Sequence, residues 1–293
     1  MSMKKLLLLL VLLSFQVAAF AQQGTVLESL SMKSDLLKRD VKYSIYLPPG
    51  YDDSQRDYPV LYLLHGYSDD ETGWVQFGEV DRIADDAIDS GSSSPMIIVM
   101  PDAKVTWYCN DYQGKDPYED MFIKEFVPFI ESQYRIRSKK EFRAVAGLSM
   151  GGYGALMYAM KYNDLFSSCV AFSSGTMTDK EIVDMPDKNY NMFFGDIFGK
   201  NLEGQGRITK NWIEHSPLHL AKDIPVEKLR SVRFYVDCGD DDFLYKGNSA
   251  LHVLLRDLKI PHEYRVRDGS HSWTYWRTGL PAGLKFISES FRR

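Results

Sequence analysis

The sequence predicts an α/β fold, a mostly parallel central sheet with helices on both faces. Short β-rich runs alternate with longer stretches of helical spacing along most of the chain, the order that builds strand-helix-strand crossovers. Two of the runs, Tyr58 to Leu64 and Pro95 to Met100, are apolar throughout rather than alternating, as strands covered on both faces must be. With 44% hydrophobic residues, 293 residues can bury one large core and do not call for two domains.

Val41 to Leu47 alternates apolar and polar residues and reads as a half-exposed strand. The runs 58–64 and 95–100 follow as central strands, separated by helical spacing at Val80 to Ile88. A second helix is expected at Met121 to Tyr134, then a strand at Phe142 to Ala146 and an apolar helix at Met150 to Met160. Leu165 to Phe172, Val232 to Cys238 and His262 to Val266 complete the strands, with helices at Asn248 to Leu258 and Leu284 to Phe291. Crossovers between parallel strands default to the right-handed form. Gly175 to about Lys228 breaks the rhythm, being polar with only short apolar stretches. It is expected to be an irregular insertion draped over the sheet's C-terminal edge, within a single domain covering 22–293.

The first 21 residues carry a targeting pattern. Lys4 and Lys5 are positive, Leu6 to Leu13 is apolar, and Ala19-Phe20-Ala21 has the small-x-small form of a signal-peptidase site. The mature chain is expected to start near Gln22 and to be secreted or periplasmic. The apolar run is short for a bilayer span and no Cys follows it, so no membrane anchor is expected.

A formal net charge of −5 repels phosphate backbones, which argues against nucleic acid as a partner. Aromatics make up 13% of the chain; most fill a core, and the remainder suit a pocket for flat or sugar-like groups. Of three cysteines, Cys169 and Cys238 sit in strand-like apolar runs and read as buried small hydrophobes, leaving Cys109. No Cys/His cluster has zinc spacing, and neither metal nor cofactor is expected.

The strongest local signal is Gly147-Leu148-Ser149-Met150-Gly151, directly between a strand and a helix. A serine on such a reversal is lifted clear of the sheet, and the flanking glycines remove Cβ atoms that would collide. Its hydroxyl stands at a helix N-terminus, where free N–H groups favour developing negative charge. A plain tight turn with an incidental serine is the bland alternative. A hydroxyl needs a base. Among six histidines, His252 and His262 fit core or surface roles, His215 and His219 read as surface, and His65 precedes the serine. His271 follows the last strand and opens the final helix, the position for the base. The base needs a carboxylate at the end of the penultimate strand. Of the run from Asp237 to Asp242, Asp242 is the first choice and Asp241 the second; Asp237 lies inside the strand. The oxyanion donors are the amides of Met150, after the nucleophile, and Tyr67, after Leu64-His65-Gly66.

With these pieces placed, the chain resembles the esterase family that groups S-formylglutathione hydrolases (esterase D), feruloyl and acetylxylan esterases, tributyrin-type esterases and mycolyltransferases. The resemblance runs from Tyr46-Leu47-Pro48 to the C-terminal helix. Its specific pieces are Tyr62 to Gly66, Gly147 to Gly154, Cys238 to Leu244 and Gly269 to Trp273. It implies an α/β-hydrolase fold and ester cleavage through an acyl-enzyme. In the feruloyl branch the acid lies three residues after the strand-end glycine, which places Asp242 above Asp241. A targeting segment argues against the formylglutathione branch, whose substrate is cytosolic, and favours the exported relatives that act on feruloyl or acetyl esters of polysaccharides. Trp74 and Trp273, with Trp107 and Tyr108, stand in loops expected around the serine, where they would clasp an aromatic acyl group or a sugar. An acyltransferase could use the same three residues. A non-catalytic carbohydrate-binding relative is disfavoured by an intact Ser, Asp and His in order.

Overall fold

A computed structural model describes residues 22–291; the expected targeting segment, 1–21, lies outside them. The eight strands are β1 (Thr25–Ser34), β2 (Arg39–Leu47), β3 (Val60–Leu64), β4 (Ile97–Pro101), β5 (Arg143–Leu148), β6 (Ser168–Phe172), β7 (Arg233–Gly239) and β8 (His262–Arg267). They form one sheet in the order β1-β2-β4-β3-β5-β6-β7-β8. From β4 to β8 every pairing is parallel, and β1 and β2 add an antiparallel edge. β1 was not expected from the sequence. Its outward residues are polar or half-exposed, so it lacks the apolar run that announced the central strands.

The two faces of the sheet feed two cores. Val60, Tyr62 and Leu64 of β3 point into one and Leu61 and Leu63 into the other, as a period of two requires. The second core is closed by helices α2 (Val80–Asp89) and α12 (Trp273–Phe291), with the short α1 (Gly73–Gln76) beside them. The first is closed by α4 (Met150–Lys161) and by α3, a helical run of Tyr118–Met121, a π turn at Phe122–Phe126 and Val127–Gln133. The last crossover helix is α11 (Tyr245–Asp257).

Between β6 and β7 the insertion is not irregular. It folds into six short helices: α5 (Asp179–Asp184), α6 (Asp187–Phe193), α7 (Gly195–Phe198), α8 (Lys210–His215), α9 (Pro217–Asp223) and α10 (Val226–Leu229). Helices of four to seven residues are too short to display a 3.6-residue period, and isolated they would not form. Tertiary contacts hold them. The wholly buried Arg207 donates to the carbonyls of Ile182, Val183 and Leu202, pairs with Asp187 and lies over the Tyr190 ring. Phe194, Phe198 and Trp212 pack edge to face beside it. Local caps help: Thr178 and Glu181 form a reciprocal capping box, and Thr209 caps α8.

Candidate active site

Every chemistry-bearing residue predicted from the sequence lies just beyond the carboxyl end of a strand, the edge where open α/β sheets place their sites. Ser149 joins β5 to α4 at φ 53° and ψ −117°, a conformation that costs an L-residue energy and persists only when its surroundings enforce it. Here they do. Its N–H donates to Phe172 O at 2.9 Å, and its carbonyl accepts from Gly175 at 2.7 Å and Tyr153 at 3.0 Å. The glycines are demanded by close approach: a Cβ on Gly151 would lie 2.3 Å from Leu64 O, and one on Gly147 2.4 Å from Gly151.

His271 Nε2 stands 2.9 Å from Ser149 Oγ, and its Nδ1 lies 3.0 and 3.2 Å from the two carboxylate oxygens of Asp242. The ring therefore donates from Nδ1 and offers Nε2 to the hydroxyl. Burial of Asp242 alone would raise its carboxyl; hydrogen bonds from His271, Ser173 and the Leu244 amide outweigh that and hold it below its ordinary value. Asp241 and Asp240 are exposed, and Asp240 accepts from the amides of Asp241 and Gly269. With Asp268 they form an exposed carboxylate group that offers a cation no buried ligand. Asp237 is buried and committed to Arg267, Tyr235 and Tyr275.

Nothing in the sequence singles out Ser173. Buried at φ 45°, it accepts the indole N–H of Trp276 at 3.0 Å, and its hydroxyl helps to lower the Asp242 carboxyl. Trp276 also meets the His271 ring edge to face at 4.9 Å. A tryptophan and a serine thus fix the acid from behind while the histidine engages it from the front.

Tyr67 lines the pocket that holds Ser149, and Met150 follows Ser149 as the first residue of α4. The loop carrying Tyr67 is fixed by His65, whose Nε2 accepts from Ala103 at 2.9 Å while its Nδ1 faces Gly66 O at 2.7 Å. The Tyr67 hydroxyl donates to Met192 O at 2.9 Å, tying the same loop to the insertion.

The cavity above Ser149 measures about 390 Å³ and is mostly aromatic-walled. Trp107, Tyr67, Phe193 and Phe194 line one side; Trp273, Trp276 and Phe243 line the other. Trp107 and Trp273 therefore stand where the sequence suggested. Trp74 and Tyr108 do not. Trp74 is completely buried behind Trp273, 5.2 Å from it edge to face, with its indole N–H spent on Leu64 O at 3.0 Å. It supports the wall and cannot touch a substrate. Tyr108 is likewise buried, donating to His65 O.

His215 departs from its expected surface role: it is buried, with Nε2 2.8 Å from Glu119, which also receives Lys161 and Tyr162. This network joins α3, the C-terminal end of α4 and the insertion. His219 pairs with Asp179 at 2.9 Å, and His252 and His262 share a hydrogen bond at 2.8 Å. All three cysteines are buried and unbridged.

Comparison with known proteins bears on the family and the fold. Residues 34–287 match the profile of the Esterase family. An acetyl esterase of Caldicellulosiruptor saccharolyticus is 26% identical over 279 residues, covering 89% of this chain and 97% of the relative. An esterase of Mycobacterium tuberculosis is 30% identical over 253 residues, 78% of this chain; the match spans 52% of that protein. Among solved structures, a ferulic acid esterase superposes with a TM-score of 0.79 at 32% identity, covering 92% of this chain and 99% of its own. On the family match and the shared sheet, this chain belongs to the esterase family, on an α/β-hydrolase fold.

Proposed function

We propose that this protein is an exported serine esterase that cleaves feruloyl or acetyl esters of polysaccharides, or related short-chain esters, through an acyl-enzyme. The observation that carries this reading is the unbroken hydrogen-bond chain from Ser149 Oγ through His271 to Asp242. Ser149 Oγ attacks the ester carbonyl carbon while His271 Nε2 takes its proton. Asp242 keeps the proton on Nδ1 and stabilises the imidazolium. The carbonyl oxygen, now negative, is received by the amides of Tyr67 and Met150. His271 returns its proton to the leaving alcohol oxygen, the C–O bond breaks, and the acyl group remains on Ser149. Water then attacks, giving a proton to His271, and the acid departs as Ser149 is reprotonated.

The acyl preference rests on the pocket walls. Trp107, Phe193 and Phe194 present flat apolar faces suited to a ring and roomy enough for an acetyl group. Export rests on Lys4, Lys5, Leu6 to Leu13 and Ala19-Phe20-Ala21; protein recovered outside the cytoplasm should begin at Gln22. Replacing Ser149 with Ala tests the chemistry. The folded variant should lose cleavage of p-nitrophenyl acetate by at least ~10³-fold and should not label with a fluorophosphonate probe. Full activity in that variant would overturn the reading.

A further inference from the structure

The aromatic walls of the pocket fall into two groups that no ring contact joins among the described residues. Trp107 touches Tyr67, Phe194 and Tyr153, and Tyr67 touches Phe193. Across Ser149, Trp273 touches Trp74, Trp276 and Phe77, and Phe243 lies 4.6 Å over His271. The groups also differ in exposure. No ring of the first group is strongly exposed, whereas the second, beside the buried Trp74 and Trp276, includes Phe243 at 67% exposure and Phe77 at 50%.

Proton transfer says which half of an ester each group meets. The proton that His271 Nε2 returns goes to the leaving oxygen, so the alcohol must lie within reach of that nitrogen. It therefore departs over the His271 side, across Phe243, Trp273 and Phe77. The acyl group is left on the side of Trp107.

We infer that Phe77 and Trp273 form an open aromatic shelf that binds the alcohol half of the substrate as a sugar ring. This rests on the esterase reading of the site. The rings of Phe77 and Trp273 are 5.9 Å apart and inclined by 38°, a continuous shallow surface rather than a slot. A pyranose or furanose offers an apolar C–H face to such a surface and hydroxyl groups around its edge, which need polar partners or water. Both are present. On the inner side, Asp69 lines the pocket next to Trp273; Gly73 leaves the space between them open, since a Cβ there would meet Asp69 Cβ at 3.1 Å and Trp273 at 3.5 Å. On the outer side, Arg277 Nη1 is 3.3 Å from Phe77 O and 3.0 Å from Glu79, whose other oxygen is held by Arg82, a half-exposed cluster in which Arg277 has further N–H donors. Beyond Arg277 a second cleft of about 380 Å³, lined by Arg82, Asp86, Thr274 and Thr278, carries the polar surface onward, as a longer glycan would need. An alkyl alcohol would need an enclosed apolar groove, and a shelf bordered by three charged side chains is a poor one.

Two measurements test the shelf. The first compares kcat/KM for a feruloylated xylo-oligosaccharide with that for methyl ferulate. The wild type should favour the glycosyl ester, Phe77→Ala should lower the ratio about three- to tenfold, mainly through KM, and Phe77→Tyr should restore it. An unchanged ratio in Phe77→Ala, or a wild-type preference for an octyl over a glycosyl ester, would overturn the shelf while leaving the esterase reading intact. The second titrates Ser149→Ala with the unesterified xylo-oligosaccharide, following tryptophan fluorescence. Saturable quenching that weakens by a similar factor with Phe77→Ala is expected; no binding overturns the shelf. If the wild type cleaves neither ester, the esterase reading fails and this second titration alone decides the shelf.

Discussion

Trp107 donates its indole N–H to the carbonyl of Phe193, 2.8 Å away and 86 positions further along the chain. The bond fastens the insertion to the loop after β4, and the two residues together make the closed side of the pocket. Removing the ring should therefore change what the pocket holds more than how it reacts. Trp107→Ala should lower kcat/KM for methyl ferulate relative to p-nitrophenyl acetate by about tenfold or more, a loss of the stacking and contact area of one large ring. Equal loss on both esters would mean that the ring supports the site generally rather than the acyl group.

Asp242 and Asp241 are neighbours in sequence and opposites in environment. Asp242 is buried against His271, whereas Asp241 faces water. Asp242→Asn should lower kcat on the order of 10²- to 10⁴-fold with little change in KM, because the amide cannot hold the histidine proton on Nδ1. Asp241→Asn should remain within about twofold of the wild type. Steady-state kinetics on one chromogenic ester separates the two.

Ser173 reaches the reaction only through Asp242. Ser173→Ala removes a donor to that carboxylate and leaves the Trp276 indole N–H without its acceptor. A destabilisation of about 1–3 kcal/mol is expected from the buried unpaired donor. A fall in kcat of about tenfold at nearly constant KM should accompany it, since the acid is less firmly held. A loss of stability with unchanged kcat would reduce Ser173 to a packing role.

Where α3, α4 and the insertion meet, Glu119 sets an acid limit on stability. Burial would raise its carboxyl, but the hydrogen bond from His215 and the charge of Lys161 bring it down to about 2 from an ordinary 4.5. A lowered folded-state pKa stabilises the native state fully above the unfolded value. That contribution is lost as pH falls from about 4.5 through about 2. Urea midpoints measured from pH 7 to pH 2.5 should therefore drop across that window in the wild type. Glu119→Gln should start lower at pH 7 and decline less steeply. Parallel curves for the two proteins would contradict the assignment.

The triad was legible because each member occupies a position that backbone geometry restricts: a serine between glycines that must have no Cβ, and an acid and a base just past strand ends. The choice between Asp242 and Asp241 came from the resemblance to the feruloyl branch, in which the acid lies three residues after the strand-end glycine. What escaped the sequence depended on distant partners. β1 is half-exposed and without an apolar run. The insertion helices are too short to show a period and are fixed by Arg207 from the middle of the segment. Trp74 lies one layer behind Trp273, a difference of depth that one-dimensional order does not encode. Ser173 looks like any serine leaving a strand until the Trp276 indole is placed upon it, and His215 acquires its role only when α3 brings Glu119 beneath it.

Because the insertion between β6 and β7 supplies Phe193 and Phe194 to the cavity and none of the proton-transferring groups, part of the diet and the mechanism are written on different stretches of chain. Selection can redraft residues 178–229 to admit another acid while the sheet, the elbow and the proton path stay as they are. Such a segment behaves as an exchangeable cassette, and swapping it between relatives is a direct way to move one acyl appetite onto another scaffold.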